Sequence, residues 1–508
     1  MKTETLLWVM LLIPIAASLA CAALPRPRAV LGVLCAGVFT ATATGAVVIH
    51  DVLGTGPVSS ATGWLYVDAL SAFNLAVMFL IFCLSSAYSW VYFGGPANDV
   101  PLTPRQARVF GGLWCGALAA MTLVLVSGNL GIMWVGIEAT TLLTAFLICV
   151  QRSRAALEAT WKYILICSVG VAFAFMGTLL AAASAHQLQL SSHDTLLWTV
   201  LRDNAAGLDP VLMKAAFIFL LVGYGTKAGL APMHTWLPDA YSQAPSPVSA
   251  LFSGFIVNTA LYCIMRYLPI TEAATGGTGW CLSLLRLFGL VSIVVGAAFI
   301  AFQHDLKRFL AYCSVEHLGI IALGLGLGGL GTFAALFHTL NHSLCKTLSF
   351  FAAGRLGQVF GTHDMDKMRG AYRVAPAWGT AVFASILALI GVAPFALFMS
   401  EFLIVKAALE RGAIAALVIF LAGACVAFVG SLGHALPLAW GNPDGETVRE
   451  PVRATFLEAC LVFLPLATLL CLGLWLPAPL ETILCEAADV INGAAAPTLA
   501  HFSAGVAP

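Results

Sequence analysis

The sequence predicts an all-α, polytopic membrane protein of about 14 transmembrane helices. Three observations carry that prediction. Of 508 residues, 60% are hydrophobic and only 9% are charged, against about 25% charged in soluble domains. Apolar runs near the roughly 20 residues that cross a hydrocarbon core recur along the whole chain. Two of these runs are broken by proline, the first just after a lone lysine, Lys227.

In chain order the runs place spans near 5–24, 29–50, 67–93, 109–126, 129–150, 158–184, 211–231, 246–268, 281–302, 305–328, 331–356, 375–400, 413–439 and 454–476. The first resembles a secretory signal in length, but Glu4 lies where such a signal is basic, so it reads as a span. Loops after odd-numbered spans carry Arg26, Arg28, Arg105, Arg108, Arg152, Arg154, Lys307, Arg308, Lys367, Arg369, Arg373, Arg449 and Arg453. Those after even-numbered spans hold chiefly Arg202, Arg266, Arg286 and Arg411. The positive-inside rule therefore puts odd-numbered exits in the cytoplasm and both termini on the other side of an inner (cytoplasmic) membrane.

The seventh span is interrupted by Pro232 and the twelfth by Gly391-Val392-Ala393-Pro394. Each break falls in the fourth helix of a five-helix block, and an odd block length inverts the second block relative to the first. Inverted repeats with broken helices are where membrane transporters place their ion sites; two ordinary proline kinks in a packed bundle are the plainer alternative. The division expected is residues 1–108 (helices 1–3), 109–268 (first inverted repeat, helices 4–8), 281–440 (second, helices 9–13) and 454–508 (helix 14 and tail).

Composition also excludes functions. Lys+Arg and Asp+Glu are equal at 24 each, so nothing points to nucleic acid. The 14 cysteines lack the close spacing of iron–sulfur or disulfide frameworks and read as packing residues, leaving no redox centre, cofactor or metal site expected in this chain. Gly324 to Gly329 mimics a dinucleotide loop but follows no strand. A self-contained enzyme is disfavoured.

What chemistry there is lies within the spans. Lys227 is an ammonium at bilayer depth, which costs about 2.5–3.5 kcal/mol on insertion scales. Glu138, inside the fifth span, is its candidate partner, and a Glu138–Lys227 pair would respond to protonation of either member; a static ion pair is the alternative. His338, His342 and Lys346 follow one another at i,i+4, so all three share one helix face. That stripe suits proton relay, since imidazole accepts on one nitrogen and donates from the other. It lacks the carboxylate of a His-Glu-x-x-His zinc pair. Glu401, beyond the second break, is placed to finish the stripe at one membrane face. Lys162 is expected either to face Lys227 or to snorkel to the interface. His234 follows the first break, as a relay group or a helix cap. Lys307, Glu316 and His317 offer a further connecting site, with Lys307 read as an interfacial anchor.

Four stretches together carry a resemblance: the Glu138 helix, Lys227 to Ala250, Gln303 to Ser314, and His338 to Lys346. From about residue 64 to 440 the chain resembles the antiporter-like proton-translocating subunits of respiratory complex I, membrane-bound hydrogenases and Mrp antiporters. Gly136 to Thr141 and Ala156 to Tyr163 are most similar to the F subunit of hydrogenase-4 type complexes. The resemblance implies 14 helices and two half-channels joined by a polar axis. Glu138 and Lys227 would be the coupling pair, Lys162 a modulator, Lys346 with His338 and His342 the central link, and Glu401 the exit group. It implies partners too: other membrane subunits, lipid, and a soluble redox arm of the NiFe hydrogenase kind, whose energy this non-redox translocase subunit converts into proton movement. The competing functions are Na+/H+ exchange of the Mrp type and a non-conducting scaffold for a redox or inorganic-carbon-uptake partner. Two departures stand out. Phe252, Ser253 and Asn258 occupy the stretch of the eighth helix where relatives carry a histidine or lysine, and the chain ends soon after span 14, without a long lateral helix.

Overall fold

The computed structural model describes residues 3–94, 102–188, 190–191, 193–442 and 451–493, and nearly all of them are helical. Arg449 and the tail beyond residue 493 lie outside the described residues. Three helices open the chain: α1 (Thr3–Ala23), α2 (Pro27–Thr55) and α3 (Ala69–Gly94). A two-residue antiparallel ladder, β1 (Val58–Ser59) with β2 (Tyr66–Val67), tightens the α2–α3 loop. There follow α4 (Pro104–Val126), α5 (Leu130–Ile148), α6 (Arg154–Ser184) and, within a loop, the short α7 (Trp198–Asp203). The seventh crossing is split into α8 (Pro210–Ala228) and α9 (Trp236–Gln243). In the eighth, α10 (Ser246–Leu251) joins α11 (Val257–Ala274) through a π-helical turn, Phe252–Ile256.

The second half runs α12 (Trp280–Ile300), α13 (Leu306–Leu327), α14 (Leu330–Phe360) and a short α15 (Ala371–Val374). The twelfth crossing is split into α16 (Pro376–Leu389) and α17 (Ala396–Glu410), and α18 (Ile414–Trp440), α19 (Phe456–Leu474) and α20 (Ala478–Asn492) close the chain. Twelve described segments are long and apolar enough to cross a membrane. With α14, 31 residues long but carrying the polar stripe, and the α16/α17 pair, they make up the expected 14 crossings. The protein is a multi-pass membrane protein.

Burial is graded. The segment from Ser246 to Ala274 is buried along most of its length and α13 nearly throughout, whereas α1, α2, α18 and α19 have only about a third of their apolar stretch covered. The polar helices therefore sit at the centre and the purely apolar ones at the rim, which keeps ionisable groups away from lipid.

Both breaks have the same form. After Ala228, Gly229 turns left-handed at φ +83°, and Gly391 does so at φ +68° after the α16 end; each is followed two residues on by an Ala–Pro peptide in the cis form. The sequences match, Gly229-Leu230-Ala231-Pro232 and Gly391-Val392-Ala393-Pro394. Glycine is required at these turns because a Cβ would meet the Leu237 side chain in the first and the Glu401 carboxylate in the second.

Two buried ion pairs escaped the sequence reading. Arg266, counted there among loop cations, is buried in α11 and grips Asp68 with two hydrogen bonds of 2.6 and 2.7 Å. Its Nη2 also donates to Ser71 at 2.6 Å and its Nε to the Tyr262 hydroxyl at 2.8 Å, while its guanidinium lies over Trp198. Arg355 on α14 meets Glu458 on α19 at 2.9 Å, equally out of solvent. The partners are far apart in sequence, so no spacing announces them. The helix α20 was also missed, since it is too short to span. It is amphipathic, packs on α3, α11 and α14, and its Asn492 accepts hydrogen bonds from the Gly329 amide and the Thr332 hydroxyl at the start of α14.

Candidate functional site

The first polar centre surrounds Lys227, in the last turn of α8 and inaccessible to solvent. Its ammonium donates to Thr141 Oγ1 of α5 at 3.0 Å and to the Tyr163 hydroxyl of α6, and lies 4.6 Å from the centre of that ring. Tyr163 in turn shares a 2.7 Å hydrogen bond with Thr144. Neither Thr141 nor Tyr163 was anticipated as a partner, although Thr141 lies three residues beyond Glu138 and thus on the same helix face. Glu138 and Lys227 are within electrostatic reach but form no ion pair. One Glu138 oxygen accepts from Ser168 at 3.4 Å, and the other is buried with no partner.

Lys162 does not face Lys227. Successive helical residues point about 100° apart, so with Tyr163 turned inward Lys162 turns out, where it pairs with Glu158 at 2.7 Å and Asp239 at 2.9 Å. Asp239, on α9, also takes Arg308 of α13 at 2.7 Å. Lys307 departs from expectation in the opposite sense. It is buried, not an interfacial anchor, and donates to the carbonyls of Ser242, at 3.1 Å, and of Ala244, capping the C-terminal end of α9. Positive charge is favourable there because the helix dipole leaves those carbonyls negative. In the loop beyond α14, burial and then the nearby Lys307 ammonium hold the His363 imidazole down to about 3, so that ring is neutral. His234 sits past the first break with its Nδ1 unpartnered and its ring 6.3 Å from that of Tyr312.

The second polar centre lies between α13, α14 and α17. His338 and His342 are stacked 6.5 Å apart, as their spacing requires. Lys346, one turn on and equally buried, donates to the Leu310 carbonyl of α13. His317 of α13 comes from outside the stripe: its Nδ1 and His338 Nε2 share a hydrogen bond of 3.0 Å, and its ring is 5.3 Å from that of His342. His338 Nδ1 bonds the Ser400 hydroxyl of α17 at 2.9 Å, next to Glu401. Glu316, buried beside His317, interacts electrostatically with both Glu401 and Lys346. Neither ring nitrogen of His342 is satisfied by a protein group. Buried polar atoms seldom stay unpaired, so the His342 ring is free to take a polar partner from outside the protein.

Between the centres stands the eighth crossing. Its π-turn points Phe252 at Tyr163, ring centres 5.5 Å apart, while the next residue, Ser253, bonds Ser314 of α13 at 2.8 Å. Ser314 also donates to Leu310 O, the carbonyl that holds Lys346. Asn258 donates to Ser343 of α14 at 2.8 Å. Polar side chains thus reach from Lys346 to Ser253, and the apolar step is Phe252.

A family model described as NADH:quinone oxidoreductase/Mrp antiporter, TM, matches residues 127–427. A "Hydrogenase-4 component F homolog" of Methylacidiphilum infernorum (isolate V4) is 36% identical over 400 residues, 78% of this chain and 83% of that one. "Hydrogenase-4 component B" of Escherichia coli (strain K12) is 31% identical over 371 residues, 71% of this chain and 53% of that one. Among solved structures, a chain of the membrane-bound sulfane sulfur reductase, an archaeal respiratory membrane complex, superposes with a TM-score of 0.85 at 23% identity, covering 97% of this chain and 99% of that one. That last likeness shows the fold.

Proposed function

The chain belongs to the NADH:quinone oxidoreductase/Mrp antiporter transmembrane family, and from that premise we propose that it translocates protons as a membrane subunit of a redox-driven complex of the hydrogenase-4 or complex I kind. The observation that carries this reading is Lys227: an ammonium wholly out of solvent, held by two hydroxyls and by no carboxylate. An unpaired buried charge costs several kcal/mol, which static packing does not require. A lysine that must gain and lose a proton needs such a setting, with Glu138 near enough to strengthen its hold on the proton when the two approach and weaken it when they separate. Protons released from Lys227 pass Phe252 by way of water, reach Lys346 and the imidazoles, and leave through Glu401. Lys162 acts at a distance, through Asp239 on α9, and His234 hydrates the break. The two five-helix blocks, 109–268 and 281–440, are the two half-channels.

The partners on this reading are further membrane subunits and a soluble redox arm, the location is the inner membrane, and both termini face away from the cytoplasm. The decisive experiment reconstitutes the purified parent complex in proteoliposomes and follows internal pH. Lys227→Ala should abolish acidification while electron transfer by the redox arm is retained or uncoupled. Acidification equal to wild type would refute the relay. Sodium-dependent pH change in the wild type would favour exchange instead.

A further inference from the structure

We propose that His317, His338 and Glu401 form a binding site for a borderline divalent transition metal ion, of which Zn2+ is the representative, in the centre of the second half. The ligand atoms of these three residues lie within 4.8 Å of one another. They come from three helices, α13, α14 and α17, so the site exists only in the folded bundle. The pair His338/His342, which sequence spacing suggests, is not the pair that converges.

Two imidazoles and a carboxylate are a common three-protein-ligand set for zinc, with a fourth position left for water. The geometry is close to what ligation needs. His317 Nδ1 and His338 Nε2 are 3.0 Å apart. Zinc–nitrogen bonds of about 2.05 Å span that separation at an angle near 90°, and opening the pair by about 0.3 Å brings it to the tetrahedral angle. The outer shell is also in place. Ser400 Oγ donates to the Leu397 carbonyl at 2.9 Å, so its oxygen accepts from His338 Nδ1–H, which leaves the Nε2 lone pair directed at the site. His342 and Glu316 stand beside it, the first with both nitrogens unpartnered. The Lys346 ammonium acts on His317 and faces the Glu316 carboxyl, which in turn is within electrostatic reach of Glu401. Glu401 is only half buried, so the site is not sealed.

Ligation would shift the His317 proton from Nδ1 to Nε2, replace the His317–His338 hydrogen bond with two metal–nitrogen bonds and so interrupt proton passage; that consequence rests on the function proposed above, whereas the site does not. The test therefore reads metal first. Full-length protein purified in detergent without a polyhistidine tag is equilibrated with Zn2+ and its bound zinc measured. About one tightly held ion per chain is expected, with affinity about a hundredfold weaker in His317→Gln and about tenfold weaker in Ser400→Ala, and unchanged in His186→Gln, an exposed histidine. X-ray absorption on the wild-type zinc complex keeps the test open if a variant misfolds: nitrogen and oxygen neighbours at about 2.0–2.2 Å are expected, and sulfur at about 2.3 Å would assign the metal to cysteine and overturn the site. Equal zinc in all variants, or none in the wild type, would overturn it as well. In proteoliposomes, zinc binding at this site without loss of proton flux would spare the site and count against the relay.

Discussion

At the residue scale the unexpected member of the first centre is Tyr163. It supports Lys227 twice, with its hydroxyl and with its ring face, and its ring is wedged between Trp236 at 4.9 Å and Phe252 at 5.5 Å. Tyr163→Phe retains the wedge and removes the hydroxyl. A hydrogen bond to a charged group contributes about 1.5–3 kcal/mol, so proton flux in proteoliposomes should fall about tenfold while the protein elutes and melts as wild type. Tyr163→Ala should in addition lower stability by about 3–5 kcal/mol through the cavity it leaves. Flux unaltered in Tyr163→Phe would show that the hydroxyl does not set the proton affinity of Lys227. The lysine was legible in the sequence because a charge inside an apolar run is costly wherever the helix packs. Its hydroxyl partners were not, because Thr141 and Tyr163 are ordinary in apolar helices and only the fold aims them.

At the element scale the two breaks decide where the ionisable groups stand. Gly391 has φ +68°, and a methyl there would run into Glu401, whereas Gly361 has φ +72° with open space around it. Alanine at either position meets the left-handed backbone cost of roughly 1–2 kcal/mol, so Gly361→Ala and Gly391→Ala should lose similar stability on this account, read by thermal unfolding in detergent. Only Gly391→Ala should also displace Glu401 and depress proton flux. Lys307 offers the matching prediction for the first break. Lys307→Met leaves the Ser242 and Ala244 carbonyls without their buried donor, at a cost of about 1–3 kcal/mol, and hydrogen exchange in residues 236–243 should quicken, with Lys307→Arg restoring part of the protection. Prolines and glycines made both breaks readable in advance. The burial of Lys307 was not readable, because a lysine beside Arg308 at a helix start looks the same whether it turns to the interface or to a helix end that sequence alone does not place beside it.

At the scale of the whole molecule, the polar axis needs a frame that holds its helices in register while protons move between them. Hydropathy revealed the crossings, but not which are fastened together, because that information lies in pairs such as Asp68 and Arg266, nearly two hundred residues apart. This pair joins the start of α3 to α11, and Arg355–Glu458 joins α14 to α19, so helices on the axis are tied to helices outside it. Removing one member of a buried pair strands the other charge, which costs about 3–5 kcal/mol, whereas replacing both by apolar groups of similar volume is often close to neutral. Arg266→Met alone should therefore lower thermal stability in detergent markedly, and Asp68→Leu/Arg266→Met should recover most of the loss. Proton flux should follow stability in this series, since neither residue touches Lys227 or the imidazoles. If instead the double variant were stable yet unable to move protons, Asp68 and Arg266 would belong to the pathway and not to its frame.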